Sequence, residues 1–314
     1  MKIIIKKLDS KFFNIFSLIN YTFIDLTLLF NFYLNFKKSK LHLKGNFAYS
    51  DELKTLKSEG VIKIKKVYNS STIKELEKEF DYLKDNFKNL SRAKIEAKIN
   101  KKFLDEQFFS KGEKYYKRFL KNIQINDPFI KAPQLLKIAL NQTFIDIAKN
   151  YFNTDHIYIT GVNFRRSYFN HLPASDTQMY HRDRNSFKIL KVFIYLNNVD
   201  EDIGPFQYVL KSHKKWPLLS NRKYRWDDDY IKKIYGSKSI FSATSSVGDV
   251  IIADTTGFHK GKNLNKRYRT MLTLNYSTFA EKESKKVKIK KFESYPFKIS
   301  DEQKNILKYS SVET

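Results

Sequence analysis

The sequence predicts a mainly β protein of the jelly-roll kind, a sandwich or barrel of short strands with helices packed outside it. Long helical patterns occupy the first half of the chain, and from about residue 156 short β-rich runs replace them. Turn residues such as Gly204-Pro205 and Val247-Gly248-Asp249 separate these runs. The chain has 314 residues, 41% of them hydrophobic, and it contains no internal repeat or Gly/Ser linker, so one large domain is expected.

The most apolar stretch lies near the N-terminus, at residues 12–36, and it is long enough to span a bilayer. Its polar residues fall within about half of a helical wheel: Asn14, Ser17, Asn20, Asp25, Thr27, Asn31 and Asn35. A lipid-spanning helix would not keep such a face without partners. We therefore predict that residues 1–45 form an amphipathic helical extension packed on the protein. The alternatives are weak interfacial attachment to a membrane, helped by nearby lysines, and a true span.

Short helices and one strand are predicted at the start of the domain. A helix that begins at Ser50 leads to Gly60, and Val61–Ile64 alternates as a strand. Thr72 and Glu75 have the spacing of a capping box, which opens a helix with apolar residues every three or four positions.

Lysine-rich residues 92–121 are predicted to be helical or loop, and Pro133 precedes another helix. The predicted strands then follow at residues 156–168, 177–183, 187–196, 206–210, 239–245, 249–253 and 269–278. Such short strands at fairly regular spacing are typical of a jelly roll. We place the domain at residues 46–300 and a C-terminal tail at residues 301–314.

The composition limits the classes of function. The 59 Lys and Arg against 33 Asp and Glu give a net charge of +26, but the lysines are spread over the whole chain. Such a spread is expected from a compositional bias, so no nucleic-acid partner is predicted. The absence of cysteine excludes disulfides, zinc fingers, iron–sulfur clusters and cysteine nucleophiles. A cytoplasmic location is expected, since a reducing compartment is compatible with this composition.

His181 and Asp183 are candidate metal ligands. They are two residues apart in a segment predicted to be extended, so their side chains would share one face. One imidazole nitrogen and one carboxylate oxygen would then point to the same place. These are two of the three ligands in a 2-His-1-carboxylate iron site.

His259 and Arg269 extend this hypothesis. Among the six histidines, His259 is the one that follows a turn and an apolar strand, with Gly257 and Gly261 on either side. Arg269 opens an apolar strand, where its guanidinium needs an anionic partner, and a carboxylate fits it well. Arg267 is the alternative, because it would share the same strand face.

The ordered set of motifs resembles a known family over about residues 155–280. The set consists of His181-x-Asp183, Gly204-Pro205-Phe206, Ser212-His213, Gly248-Asp249, Gly257-Phe258-His259 and Arg269. It is similar to that of the phytanoyl-CoA dioxygenase-type iron(II)/2-oxoglutarate oxygenases.

The resemblance implies a double-stranded β-helix, a cupin-like jelly roll with N-terminal helices outside. It also implies that His181, Asp183 and His259 bind Fe(II), and that Arg269 pairs with the far carboxylate of 2-oxoglutarate. The expected reaction consumes dioxygen, releases succinate and CO2, and hydroxylates a C–H bond of a small molecule or acyl substrate.

Two residues depart from the family pattern. Many relatives have Pro-Gly-Ser-His where this chain has Leu210-Lys211-Ser212-His213, and Gly261 replaces a hydroxyl residue that contacts the cosubstrate. We expect the site to survive the first change, whereas the second requires the contact to come from elsewhere. Asp183 is present where related halogenases have a small residue, which favours oxygenation.

Two alternatives to an oxygenase remain open from the sequence: a jelly-roll binding module without catalysis, and a basic nucleic-acid-binding protein. Arg165, Arg166 and Lys191 could bind an acidic substrate, but a solvated surface role is expected for them. His213 is predicted to be a turn residue that bonds to nearby backbone. The sequence does not determine the oligomeric state.

Overall fold

The structure is a computed structural model that describes residues 48–85, 90–95, 120–171, 173–174, 176–183, 188–214, 224–278 and 287–313. The predicted extension at residues 1–45 lies outside these residues. Among the helices described, none is long and apolar enough to cross a membrane.

Seven α-helices and twelve strands are described. The helices are α1 (Ser50–Glu59), α2 (Ser70–Lys84), α3 (Pro128–Lys131), α4 (Pro133–Ala139), α5 (Gln142–Phe152), α6 (Asp228–Tyr235) and α7 (Asp301–Ile306). The strands are β1 (Val61–Ile64), β2 (Leu90–Ile95), β3 (Leu120–Ile125), β4 (Tyr158–Tyr168), β5 (Ile189–Tyr195), β6 (Phe206–Val209), β7 (Ile240–Ser242), β8 (Val250–Asp254), β9 (His259–Gly261), β10 (Tyr268–Ser277), β11 (Lys288–Ile289) and β12 (Ser311–Val312).

Two antiparallel sheets form the body of the domain. The large sheet has the order β1-β8-β5-β10-β4-β3-β2, and the small sheet has the order β7-β6-β9. Apolar side chains of both sheets meet between them, including Phe193, Phe206, Ile251 and Met271. We call the face of the large sheet that turns toward the small sheet the inner face. Within the described residues the two sheets do not close into one hydrogen-bonded barrel.

The helices cover the opposite, outer face of the large sheet. Because strand side chains alternate, Phe164, Leu272 and Leu274 point outward and join one apolar cluster with the helices. From α2 this cluster receives Ile73, Leu76, Phe80 and Leu83, which recur at helical spacing. The predicted mainly β fold with helices outside the sheet is thus confirmed.

Some local predictions differ from the structure. Helix α2 begins earlier than the Thr72–Glu75 capping box, because the Asn69 side chain caps it by accepting a hydrogen bond from the Thr72 N–H at 2.8 Å. Strands β2 and β3 lie at the two ends of the lysine-rich segment that was predicted to be helical or loop. Strand β3 forms because Ile123 and Ile125, two residues apart, both pack into the apolar cluster.

The predicted strand at 177–183 is wrong. This segment begins with a 3₁₀ turn at Asp176–Gln178 and then makes only isolated bridges, Tyr180 with Trp226 and His181 with His259. The C-terminal residues form helix α7, and β12 pairs with β11. The domain boundaries themselves stay a prediction.

Candidate active site

His181 and His259 are brought together by the backbone. The His181 N–H donates to the His259 carbonyl, and the His259 N–H donates to the His181 carbonyl, both at 2.9 Å. Their ring centroids are 4.3 Å apart. The Asp183 N–H donates to the Thr255 carbonyl at 2.8 Å, which fixes the third residue beside them. One potential ligand atom from each residue lies within 4.8 Å of the others.

The tautomer of each histidine is set by a backbone carbonyl. Nδ1 of His181 lies 3.0 Å from the Met179 carbonyl, and Nδ1 of His259 lies 2.9 Å from the Gly257 carbonyl. Because a carbonyl only accepts, each Nδ1 carries the proton and each Nε2 keeps a free lone pair. Such a backbone bond is typical of histidines that bind metals.

The three side chains fit a divalent cation. Ligand atoms about 2.0–2.2 Å from one ion lie at most about 4.4 Å apart, so small side-chain rotations suffice to bring these atoms to one ion. Oδ2 of Asp183 is shielded from solvent and lies 3.7 Å from Nε2 of His259 and 2.7 Å from Nζ of Lys191. A shielded carboxylate oxygen between two imidazole lone pairs is a donor set suited to Fe(II).

The electrostatics favour the forms that bind a metal. Burial, together with the neighbouring His181, lowers the pKa of His259 to about 3, and burial also lowers the pKa of His181. Both imidazoles are therefore neutral at pH 7. Burial would raise the pKa of Asp183, but Lys191 and the two histidines outweigh it and hold that pKa well below its usual value. Asp183 is thus an anion.

Lys191 contacts this cluster directly, and sequence reasoning did not find that contact. Its Nζ lies 2.7 Å from Oδ2 of Asp183, and each side chain is only 18% exposed. Lys191 stands opposite Asn275 and Ala253 on the inner face of the large sheet. The expected solvated surface role for Lys191 is wrong.

Ser212 positions the strand that carries His259. Its hydroxyl accepts a hydrogen bond from the Phe258 N–H at 2.8 Å and donates one to the Val209 carbonyl at 2.6 Å. Sequence analysis placed Ser212 in a family motif but assigned it no role. Nε2 of His213 lies 3.3 Å from the Lys57 carbonyl, as expected for a turn residue.

Arg269 lies buried on the inner face, with 4% of its surface exposed. Its Nε and Nη1 are shielded from solvent and have no hydrogen-bond partner in the described part of the chain. Gly261 permits this position, since a Cβ there would lie 3.0 Å from Nη2 of Arg269. Arg267, the competing candidate, is exposed.

Arg165 and Arg166 point to opposite faces of the large sheet. Arg166 lies on the outer face, where it pairs with Asp81 and donates to Thr270. Arg165 is half-buried, and its shielded Nε has no hydrogen-bond partner among the described residues. Burial and the nearby Arg269 lower the pKa of Arg165 to about 10. The surface role expected for this pair is wrong for both residues.

The fold and this cluster define a cupin-like protein with a candidate His-Asp-His metal site. Solved structures with the same fold include the epimerase SnoN in complex with Fe3+, alpha ketoglutarate and nogalamycin RO. It is 12% identical, with a TM-score of 0.53, over 73% of this chain and 83% of that one. EctD from S. alaskensis with 2-oxoglutarate and 5-hydroxyectoine is 14% identical, with a TM-score of 0.53, over 79% and 82%.

The carbocyclase SnoK from nogalamycin biosynthesis is 13% identical, with a TM-score of 0.53, over 76% of this chain and 85% of that one. At these identities the likeness shows the fold alone. No curated protein sequence matches the chain significantly.

The family model described as Phytanoyl-CoA dioxygenase (PhyH) matches residues 56–271, more than half of the chain. The chain therefore belongs to the phytanoyl-CoA dioxygenase family. This confirms the predicted fold class, a double-stranded β-helix with helices outside, and the predicted enzyme class, a dioxygenase that depends on Fe(II) and 2-oxoglutarate. The alternatives, a binding module without catalysis and a nucleic-acid-binding protein, are not favoured.

Proposed function

We propose that His181, Asp183 and His259 bind the Fe(II) of this dioxygenase, and that Arg269 pairs with the far carboxylate of 2-oxoglutarate. The observation that carries the proposal is the convergence of three ligand atoms within 4.8 Å, with both histidine Nδ1 protons bonded to backbone carbonyls. Arg269 on the inner face has guanidinium nitrogens without a partner among the described residues, and these can bind the far carboxylate of 2-oxoglutarate.

Each residue would have a separate task. The histidines and Asp183 would hold the metal, as a 2-His-1-carboxylate set suits iron(II) that also binds a cosubstrate. When bound, Fe(II) with 2-oxoglutarate supplies the oxidising chemistry that inserts oxygen into a C–H bond. Arg269 orients the cosubstrate through a bidentate contact, and Ser212 keeps the His259 strand in place.

The reaction we propose is hydroxylation of a small molecule or acyl substrate, with release of succinate and CO2. Solved structures of the fold neighbours SnoN and EctD hold small molecules, nogalamycin RO and 5-hydroxyectoine respectively, which supports a small-molecule substrate here. We also propose a cytoplasmic location, supported by the cysteine-free sequence and tested by fractionating cells that express the tagged chain.

The test is an anaerobic titration of the protein with Fe(II) and 2-oxoglutarate. We expect a weak visible charge-transfer band that is lost on chelation of the metal, and succinate formation once oxygen is admitted. His259→Gln should remove the band, whereas the exposed His171→Gln should leave it unchanged. A wild-type protein with neither band nor succinate would refute the assignment of these residues.

A further inference from the structure

Three cationic side chains share the inner face of the large sheet. Arg269 of β10 lies opposite Ser167 of β4. Met271, two residues after Arg269, lies opposite Arg165 of β4. Lys191 reaches the same face from β5. Because side chains two apart in a strand share one face, Arg165 and Arg269 are diagonal neighbours, with Cα atoms about 7–8 Å apart.

Two of these cations have an assigned partner. Lys191 pairs with Asp183 at 2.7 Å, and Arg269 has the cosubstrate carboxylate. Arg165 has neither. Among the described residues, Asp176 is the acid that raises the Arg165 pKa, and its carboxylate already accepts a hydrogen bond from Arg225 at 2.9 Å. The shielded Nε of Arg165 has no hydrogen-bond partner among the described residues, and an unsatisfied buried polar group is costly, so a ligand is the expected partner.

Bound cofactors do not remove this imbalance. Fe(II) carries two positive charges and 2-oxoglutarate carries two negative charges, so they cancel each other. Among the described residues, the one salt bridge of these three inner-face cations is that of Lys191 with Asp183. One carboxylate is satisfied by one guanidinium edge, so Arg269 suffices for the cosubstrate and Arg165 remains for a second anion.

We propose that the substrate is an acid, and that Arg165 binds its carboxylate or phosphate group on the inner face beside Arg269. This inference rests on the proposed function and specifies its substrate class. Arg165 opposes Gln124 of β3, so the neighbouring strand adds an amide at this end of the face. Arg165 would thus hold the acidic end of the substrate while another part of it lies near the metal.

The test compares Arg165→Gln with Arg267→Gln, which removes the same charge from an exposed position. Each protein is loaded with Fe(II) and 2-oxoglutarate without oxygen, and the charge-transfer band is titrated with butyrate, inorganic phosphate or neutral butyramide. We expect butyrate or phosphate to perturb the band in wild type and Arg267→Gln, with binding at least about tenfold weaker in Arg165→Gln. Butyramide should have no effect, and Arg165→Lys should retain part of the anion binding.

Three results would overturn the inference. One is equal anion binding by wild type and Arg165→Gln, or none by wild type. Another is simple competition of the anions with 2-oxoglutarate. The third is weaker 2-oxoglutarate binding by Arg165→Gln, which would make Arg165 part of the cosubstrate site. A missing band in wild type instead contradicts the proposed function, so the two failures are distinguishable.

Discussion

Arg165 and Arg166 are neighbours in sequence, yet their environments differ sharply. Arg166, on the outer face, lies 2.5 Å from Asp81, 2.7 Å from Thr270, and over the rings of Phe80 and Tyr268. Arg165, on the inner face, has a shielded Nε without a hydrogen-bond partner in the described chain. The outer arginine has an ion-pair partner within the protein and leaves only its Nη2 without a hydrogen bond, whereas the Nε of the inner arginine has no partner among the described residues.

The same contrast holds for the two faces as a whole. The outer face joins an apolar cluster with the helices, and its buried charge is paired. The inner face carries Lys191, Arg165 and Arg269, and the two arginines have shielded nitrogen atoms without a hydrogen-bond partner among the described residues. Natural proteins tolerate such local imbalance mainly at functional sites. We infer that the outer face supplies stability and the inner face supplies function, and the following variants test that division.

Asp183→Ala should have the largest effect on activity. Without the carboxylate the two histidines hold the metal poorly, and we expect activity to fall by at least about a thousandfold. Succinate formation and metal binding by calorimetry measure the loss. The exposed Asp229→Ala is the control. Unchanged activity of Asp183→Ala would mean that the metal assignment is wrong.

Arg166→Met should act on stability alone. It removes the ion pair with Asp81, the hydrogen bond to Thr270 and two ring contacts, so the free energy of unfolding should fall by about 2–3 kcal/mol. Arg269→Met should not lower stability, because it removes a buried charge that has no anion, but it should weaken 2-oxoglutarate binding. Urea denaturation and cosubstrate titration of both variants provide the comparison. Similar stability losses in the two variants would contradict the inference that the outer face supplies stability and the inner face supplies function.

The buried histidines should make the metal-free protein sensitive to acid. The pKa of His259 is about 3 in the folded protein and about 6.5 in the unfolded chain. Between these values the unfolded chain binds a proton that the folded protein does not. Stability is therefore complete above about pH 6.5 and is lost as the pH falls, by about 1.4 kcal/mol at pH 5.5 from this one residue.

Urea denaturation with a chelator, at pH 7.5 and 5.5, measures this loss. His259→Gln lacks the titrating group, so its stability should fall less than that of the wild type over the same interval. Equal losses in the two proteins would show that His259 does not titrate in this way.

Lys211→Gly should give the smallest effect, a gain in stability. Lys211 has a φ of +65°, a left-handed conformation that costs an ordinary residue about 1–2 kcal/mol. Glycine avoids this cost but loses more entropy on folding, so we expect a net gain of about 0.5–1 kcal/mol. Thermal unfolding would measure it, with the exposed Lys214→Gly as control. A loss of stability would show that the Lys211–Glu59 ion pair matters more than the backbone strain.

Much of the site could be predicted because its chemistry is encoded locally. His181 and Asp183 stand two apart, His259 follows a turn and an apolar strand, and Arg269 opens another. The order of these motifs suffices to indicate the family. Their roles as ligands remain predictions, although the structure brings the three metal candidates together.

Other features could not be found from sequence periodicity. The segment at 177–183 is held by a bridge from His181 to His259, a pairing between residues far apart in the chain, and not by a strand of its own. Lys191 meets Asp183, and Ser212 meets Phe258, only because the strands that carry them pack at one place. Short-range patterns contain no information on such contacts.

The sequence by itself determined the class of the fold, the order of its motifs and the residue types of the candidate iron site, because strand alternation and turn chemistry are local properties. Tertiary structure alone decided which arginine of the Arg165-Arg166 pair forms an ion pair within the protein. Alternation places the two on opposite faces, but which face is covered by helices depends on the packing of α2 and the register of β4 with β10. The packing of α2 puts Arg166 beside Asp81, and the register puts Arg165 beside Arg269.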